Sequence, residues 1–197
     1  VGSLRYTVDY QGGDGNDVVL TVQPTPSSEP VSPAPTPPPQ PSTDGNDVAL
    51  LLPGQTYYDA RPGDDYVAAG PSSTTIYGGP GADTLLGGAG DDIVRGGQGN
   101  DLVQGGDGND WLAGDRGDDT IIGGAGADIF HSWGGAGLDL VLDFNAAEGD
   151  RVNLLPGTIY TVEQAEADTV ISMDGGGRLV LQNVQLAALP EGWIYVG

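Results

Sequence analysis

Aspartate recurs with a spacing of nine residues along the middle of the sequence. Cutting the chain every nine residues from Ser42 to His131 gives ten units, and the sixth residue is aspartate in eight of them. These aspartates are Asp47, Asp65, Asp83, Asp92, Asp101, Asp110, Asp119 and Asp128. A carboxylate is a hard oxygen ligand, and Ca²⁺ accepts carboxylate and backbone carbonyl oxygens together. The even spacing therefore predicts a series of calcium sites.

Glycine and apolar residues occupy two further columns of the same units. The fourth residue is glycine in nine of the ten, and the eighth is apolar in all ten, from Ala49 to Phe130. Glycine adopts positive φ without a Cβ clash, so each unit can turn sharply and direct carbonyl oxygens at one point. The last three residues then form a short strand with its middle side chain facing inward. The carbonyls expected as ligands lie near Gly81, Gly90, Gly99, Gly108, Gly117 and Gly126.

The tandem units carry a resemblance to a known family. GGPGADTLL, GGAGDDIVR, GGQGNDLVQ and GGDGNDWLA resemble the GGxGxDxUx repeat of the RTX family, in which U is a large apolar residue. The match is tight over residues 78–131 and loose over 42–77, and DLVLDFNAAEGDRVNL is similar to the segment that follows the repeats in related secreted proteins. The resemblance implies a calcium-binding turn plus a short strand in each nonapeptide. It also implies that two nonapeptides form one coil of a parallel β-roll.

A coil of two nonapeptides places alternate units on two edges of the roll. We expect calcium between successive loops of one edge, and about four to seven ions in total. The best pairs are Asp83–Asp101, Asp101–Asp119, Asp92–Asp110 and Asp110–Asp128. Asp65–Asp83 and Asp47–Asp65 are expected to be weaker because other residues replace the leading glycines, and Thr56 and Thr74 lack a carboxylate. Asp139 and Asp143 are further ligand candidates where the roll meets the C-terminal segment.

The alternative for these aspartates is a set of turn formers that cap strands without metal. Between residues 78 and 131 there are ten aspartates and two arginines. Stacked carboxylates without counter-ions would repel one another, so we favour metal binding.

The charge of the whole chain excludes several classes of partner. It contains 28 acidic and 6 basic residues, for a net charge of −22. Nucleic acid and anionic membrane surfaces require clustered Lys and Arg, and no apolar run approaches the ~18 residues that span a bilayer. Cysteine is absent, so disulfides do not stabilise the fold. No motif for a small-molecule substrate is evident.

Composition divides the chain into four segments and predicts an all-β protein. The sequence starts at Val1 without a methionine, and we interpret it as a fragment from the end of a longer protein. Residues 24–41 are a proline-rich linker, and residues 1–23, which resemble one or two strands with a turn, are interpreted as the remnant of an upstream domain. Residues 42–131 are the predicted roll. Residues 132–197 contain short alternating apolar runs, and we expect them to form a β-rich cap that carries a secretion signal.

The resemblance implies a calcium-folded C-terminal module of a secreted protein that a type I secretion system exports. Two alternatives stay open: a calcium-stiffened structural or adhesive module of a cell-surface protein, and the non-catalytic tail of a secreted enzyme. His131 is the only histidine, which excludes a His-rich zinc protease site. We expect no catalysis in this segment.

Overall fold

The computed structural model describes residues 42–197 and, for the backbone alone, Asp17 and Val18. The predicted linker and most of residues 1–23 lie outside the described residues. The described residues form β-strands and one 3₁₀ helix, Leu186–Ala188, with no α-helix among them. None of their helices is long and apolar enough to cross a membrane.

Two sheets face each other along the chain. Sheet 1 has ten strands in the order β1 (Asp17–Val18), β2 (Asp47–Leu50), β4 (Tyr66–Ala68), β6 (Thr84–Ala89), β8 (Leu102–Asp107), β10 (Thr120–Ala125), β12 (Leu138–Val141), β16 (Arg178–Leu181), β15 (Asp168–Met173) and β14 (Tyr160–Ala165). Sheet 2 has seven, in the order β17 (Ile194–Val196), β13 (Arg151–Leu154), β11 (Ile129–Ser132), β9 (Trp111–Arg116), β7 (Ile93–Gln98), β5 (Thr75–Pro80) and β3 (Tyr57–Asp59). Neighbouring strands are parallel except at β14–β15 and β15–β16, which are antiparallel.

The strand register confirms the parallel β-roll with two nonapeptides per coil. In sheet 1, Thr84 pairs with Leu102 and Leu102 with Thr120. In sheet 2, Ile93 pairs with Trp111 and Trp111 with Ile129. Each step within a sheet advances by two nonapeptides, so the chain alternates between the sheets once per repeat.

Within the roll, the core between the sheets is formed mainly by the eighth residues of the ten units, to which residues such as Leu51 and Ala60 add. All ten eighth residues are buried: Ala49, Tyr58, Val67, Ile76, Leu85, Val94, Val103, Leu112, Ile121 and Phe130. Because each coil contributes only two of them, a coil gains most of its burial from its neighbours. At the C-terminal end Phe144 packs between Phe130 and Trp193, with ring centroids 5.8 and 6.2 Å apart.

The sheets continue beyond the predicted boundary at His131. Strand β12 pairs in parallel with β10, and β13 with β11. Strands β16 and β17 extend the two ladders by one more step, and the β14–β15–β16 meander follows. Parallel pairing of neighbouring strands does not require glycine-rich loops. The two sheets therefore continue where a coil is longer than two nonapeptides.

At the N-terminal end, strand β1 extends sheet 1 by one strand. Asp17 pairs in parallel with Asp47, and Val18 with Val48. The backbone of Asp17 and Val18, two residues of the segment interpreted as an upstream remnant, therefore lies next to the first coil.

Candidate metal sites at the loop edges

The repeat aspartates form two buried columns, one along each edge of the roll. Every one of the eight is at most 5% exposed. Asp47, Asp65, Asp83, Asp101 and Asp119 lead into sheet 1, and Asp92, Asp110 and Asp128 lead into sheet 2. The structure therefore brings together the aspartates that the two-nonapeptide coil predicts as neighbours.

In seven of the eight aspartates, one carboxylate oxygen bonds to the preceding coil. Asp101 Oδ1 accepts the backbone N–H of Asp83 at 2.8 Å, and Asp110 Oδ1 accepts that of Asp92 at 2.8 Å. The same bond, 2.7–2.9 Å long, repeats for Asp65, Asp83, Asp119, Asp92 and Asp128. Because the acceptor is a charged group, each of these hydrogen bonds links two neighbouring coils strongly.

The other carboxylate oxygen is buried without a protein partner. Among the residues that the structure describes, Oδ2 finds no hydrogen-bond donor in Asp65, Asp83, Asp92, Asp101, Asp110, Asp119 and Asp128. A buried ionised oxygen without a partner is strongly destabilising, and native proteins normally satisfy such groups. The repetition of one unpartnered oxygen from coil to coil indicates that a cation completes these sites.

A backbone carbonyl faces the same space from the following coil. A Cβ placed on Gly87 would lie 2.5 Å from Asp92 Oδ2 and 2.6 Å from the Gly105 carbonyl oxygen. A Cβ on Gly96 would likewise overlap Asp101 Oδ2 and the Gly114 carbonyl. The missing side chain of the first glycine thus leaves a cradle between a carboxylate and a carbonyl, as Ca²⁺ ligation requires.

The sequence analysis did not name these first-position carbonyls as ligands. The carbonyls near the fourth-position glycines stay a prediction, and the Gly81 carbonyl lies against Gly99 of the next coil. A signal for the first position was present, because all six tight repeats begin with glycine.

The candidate sites differ from a side-chain metal cluster. Within residues 42–197 no group of three or more His, Asp or Glu side chains is arranged to hold a metal ion. Each cradle instead combines carboxylate oxygens with backbone carbonyls, a mixture that suits Ca²⁺ and that Mg²⁺ accepts poorly.

Burial shifts the protonation of these carboxyl groups. It raises the pKa of Asp83, Asp92 and Asp101 to about 7, and neighbouring carboxylates add to the shift. For Asp65 and Asp128 the pKa rises to about 6 for the same reason. Without a cation, therefore, protons compete for these oxygens close to neutral pH.

Residues at the fifth position form a second ladder that runs the other way. Asn46 Oδ1 accepts the N–H of Asp64 at 2.9 Å, and Asp64 Oδ1 accepts that of Ala82 at 2.9 Å. On the other edge Asp91 Oδ1 accepts the N–H of Asn109 at 2.8 Å. This exposed ladder bonds toward the following coil, whereas the buried aspartates bond toward the preceding one.

Asp47 differs from the other repeat aspartates. Thr43, which stands where later repeats have their second glycine, donates its N–H to Asp47 Oδ2 at 2.6 Å and its hydroxyl to Oδ1 at 2.8 Å. Both oxygens are therefore satisfied by the protein. This contact favours the expectation that the N-terminal end of the column binds calcium weakly.

Asp139 and Asp143 lie on opposite edges, so the structure does not bring them together. Asp143 accepts the N–H groups of Gly123 and Gly124 at 2.8 and 2.9 Å. Asp139 is fully buried beside Asp119 and accepts the Ser132 hydroxyl at 3.2 Å. Burial, together with the Asp119 charge, raises the Asp139 pKa to about 8. Strand β12, Leu138–Val141, crosses the sheet between the two aspartates and so places them on opposite edges.

Asp150 belongs to the second column, although the sequence analysis did not select it. Its Oδ1 accepts the N–H of Asp128 at 2.9 Å, and its Oδ2 accepts that of Asn145 at 2.8 Å. Asp150 follows Asp128 by 22 residues, so it falls outside the nine-residue period. The local pattern Asp150-x-Val152 keeps the aspartate-to-apolar spacing of a repeat end and was the available signal.

A family model described as the RTX calcium-binding nonapeptide repeat, in four copies, matches residues 69–103 and 104–139. No curated protein matches the chain significantly in a sequence comparison.

Three solved structures share limited similarity with the chain. The extracellular lipase LipA from Serratia marcescens is 18% identical, with a TM-score of 0.38, and the match covers 79% of this chain and 39% of the lipase. The AlgE6R3 subunit of the Azotobacter vinelandii mannuronan C5-epimerase is 22% identical, with a TM-score of 0.41 and coverage of 75% and 82%. The AlgE6R2 subunit of the same enzyme is 24% identical, with a TM-score of 0.41 and coverage of 72% and 92%. This chain thus spans well under two thirds of the lipase.

The raised pKa values give the metal-free fold a defined pH dependence. Folded-state values of about 6 to 7 at Asp65, Asp83 and Asp101 exceed the ~3.9 of an unfolded aspartate, so the folded state binds protons more tightly. Stability from protonation is complete below the unfolded value and is lost as the pH rises through the folded values. We expect the calcium-free chain to gain β structure when the pH falls from 8 to about 5. Circular dichroism of calcium-depleted protein measures this, and more β structure at pH 8 than at pH 5 would contradict it.

The interior of each column should respond more strongly to substitution than its end. Asp101 contacts the coils on both sides, whereas both Asp47 oxygens are satisfied by Thr43. We expect Asp101→Ala to raise the calcium midpoint of folding by about tenfold, which corresponds to about 1.4 kcal/mol, and Asp47→Ala to change it much less.

A calcium titration followed by circular dichroism compares the two variants. Asp107→Ala is the matched control, since it removes the same charge from an exposed position. Equal midpoints for Asp101→Ala and Asp47→Ala would refute the proposed sharing of aspartates between neighbouring coils.

Proposed function

We propose that the repeats of residues 69–139 drive the calcium-dependent folding of a C-terminal module in a secreted protein. This region matches the family of RTX calcium-binding nonapeptide repeats. The observation that carries the proposal is the column of buried Oδ2 atoms that find no donor in the described part of the chain. In the tight repeats each of these atoms lies over a glycine of its own loop, and the calcium that the repeats bind would supply the missing partner.

Electrostatics makes folding depend on that partner. Aspartates of successive coils follow one another along two edges, and the chain as a whole has a net charge of −22. Without a cation, folding would bury like charges around a core only one side chain wide. The free energy of calcium binding therefore becomes free energy of folding. Asp65, Asp83, Asp92, Asp101, Asp110, Asp119 and Asp128 would hold about four to seven ions together with loop carbonyls.

This dependence supports a role in export. Extracellular calcium modules typically bind at roughly 10⁻⁴–10⁻³ M, far above the free calcium inside a cell. The same chain would stay unfolded before export and fold outside, as passage through a type I secretion system requires. The module itself is non-catalytic in this proposal, and residues 132–197 supply the cap and the export signal.

A second candidate function is a stiff spacer in a cell-surface protein. The inter-coil hydrogen bonds along both edges favour it, because they would make the calcium-loaded roll rigid. The non-catalytic tail of a secreted enzyme is compatible with either function. Export that depends on a type I transporter would distinguish the calcium-folded secretion module from the cell-surface spacer.

Calcium should control whether the chain folds. In excess chelator at pH 8 we expect a mostly unfolded spectrum, and millimolar calcium should restore β structure with a midpoint of roughly 10⁻⁴–10⁻³ M. Magnesium at the same concentration should substitute poorly, since it prefers a compact octahedral shell and retains its water. Circular dichroism during both titrations provides the measurement. A full β spectrum in chelator would contradict calcium-driven folding.

Export should require a type I transporter and the C-terminal region. The chain is expressed in otherwise identical bacteria with and without the transporter, and its amount in the medium is compared. We expect export only with the transporter, and its loss when residues 132–197 are removed. Equal amounts in both strains would overturn the secretion role while leaving calcium binding intact.

A further inference from the structure

Strand β1 pairs with the first coil in the register that the coils use among themselves. Asp17 pairs in parallel with Asp47, and one coil further on Ala49 pairs with Val67. Each pair joins residues at the same position of a nine-residue unit, because Asp17 is the sixth residue of GGDGNDVVL, residues 12–20. The pairing of β1 therefore places this isolated unit in phase with the roll.

Residues 14–18 repeat the sequence of residues 44–48, where the first coil begins. Both segments read DGNDV. Their glycine is the fourth residue of its unit, and in the roll such glycines of successive coils lie against each other. A Cβ on Gly63, for example, would lie 2.5 Å from the carbonyl oxygen of Gly45. The isolated unit has Gly15 at this position, so a neighbouring coil can approach it as closely.

The asparagine of the same pentapeptide suits the exposed fifth-position ladder. Asn46 Oδ1 accepts the N–H of Asp64 at 2.9 Å, and Asp64 Oδ1 accepts that of Ala82 at 2.9 Å. Asn16 is the fifth residue of the isolated unit, and its amide oxygen is an acceptor of the same kind. The isolated unit thus has the residue types with which each coil contacts the next.

The core of the first coil is buried although the roll ends there. Ala49 and Tyr58 are its inward-facing residues, yet they are only 1% and 5% exposed. A terminal coil leaves one side of such residues open to water unless another segment covers them. Within the described part of the chain no strand pairs with the outer edge of β3 in sheet 2, whereas sheet 1 continues to β1. Strand β1 is thus the described element that extends over this end of the core.

We propose that the N-terminal end of sheet 1 is a docking site for residues 12–20 of the same chain, which serve as the first unit of the roll. The proline-rich segment 24–41 would connect this unit to β2 without joining a sheet, because proline lacks the backbone N–H that pairing requires. Residues 12–20 then belong to the roll rather than to an upstream remnant. The inference rests on the proposed calcium-dependent folding, since the docking site exists only in the folded roll.

The same chain is favoured as the occupant over a second copy. Val18 and Asp47 lie on neighbouring strands, so residues 19–46 need only close a loop. A tethered segment has an effective concentration that is roughly millimolar for a flexible linker. A second copy at micromolar concentration competes poorly with it, and the net charge of −22 adds repulsion between chains.

A pair of introduced cysteines tests the docking, because the chain has no cysteine of its own. Val18 and Val48 lie opposite each other on neighbouring strands, at a spacing that a disulfide can bridge. We expect the full chain with Val18→Cys and Val48→Cys to form an intramolecular disulfide in glutathione buffer with millimolar calcium. Val22→Cys with Val48→Cys is the matched control, since it closes a slightly shorter loop from the same residue type. The effective concentration of the thiols should be at least about tenfold lower in the control.

Electrophoresis without reducing agent and circular dichroism together separate the outcomes. Equal effective concentrations in the two variants, with a folded roll, would overturn the docking and leave calcium-driven folding intact. Disulfide-linked dimers in place of the intramolecular product would show that a second copy occupies the site and would refute docking within one chain. A chain that stays unfolded in calcium would contradict the proposed function, and the docking with it.

A charge at the eighth position of the isolated unit provides a second measurement without cysteines. The eighth residues of all ten units in the roll are buried, and Val19 holds this position in the isolated unit. We expect Val19→Asp to raise the calcium midpoint of folding by about threefold, because a docked unit would bury the new charge. Leu20→Asp adds the same charge at the outward-facing ninth position and should leave the midpoint unchanged. Equal midpoints for the two variants would count against the docking.

Discussion

Each interior repeat aspartate in this roll connects three coils through one buried carboxylate. For Asp101, Oδ1 accepts an N–H from the preceding coil, while Oδ2 lies within the cradle that the Gly114 carbonyl of the following coil borders. The backbone satisfies only the first oxygen. The stability of the whole stack therefore depends on what neutralises the second, since the desolvation of an ionised carboxylate far exceeds the gain from one hydrogen bond.

Protein groups satisfy both carboxylate oxygens of the aspartate at two of the column ends. Thr43 satisfies both oxygens of Asp47, and Asp150 is satisfied by the amides of Asp128 and Asn145. At the C-terminal end Phe144 and Trp193 also close the apolar column. The N-terminal end of the first column and the C-terminal end of the second thus have protein partners, whereas Oδ1 of Asp139, which follows Asp119 in the first column, finds no donor among the described residues.

The same repeat geometry produces a groove beside one loop edge, with Gly79, Gly97, Arg95 and Asp115 in its lining. A column of second-position residues runs along one edge, and glycine at 79 and 97 leaves the backbone uncovered. Where the glycine is replaced by Asp115, the backbone stays in the left-handed region and the side chain binds Arg95. The periodic scaffold therefore tolerates this local departure from its repeat, because a contact with the neighbouring coil holds Asp115 in place.

The sequence by itself determined the nine-residue turns and the positions of their aspartates, because every tight repeat obeys that period. The resemblance to the RTX family implied the roll with two nonapeptides per coil. Only the tertiary structure decided which carboxylate oxygens stay free, since that depends on donors such as Thr43 and on carbonyls in the next coil. It also separated Asp139 from Asp143 and joined Asp150 to the second column, because the longer C-terminal coils preserve strand register while breaking the sequence period. Residue spacing in the sequence determines the contacts that recur in every repeat. Contacts in the longer C-terminal coils depend on which residue of each coil pairs with the preceding strand of the sheet.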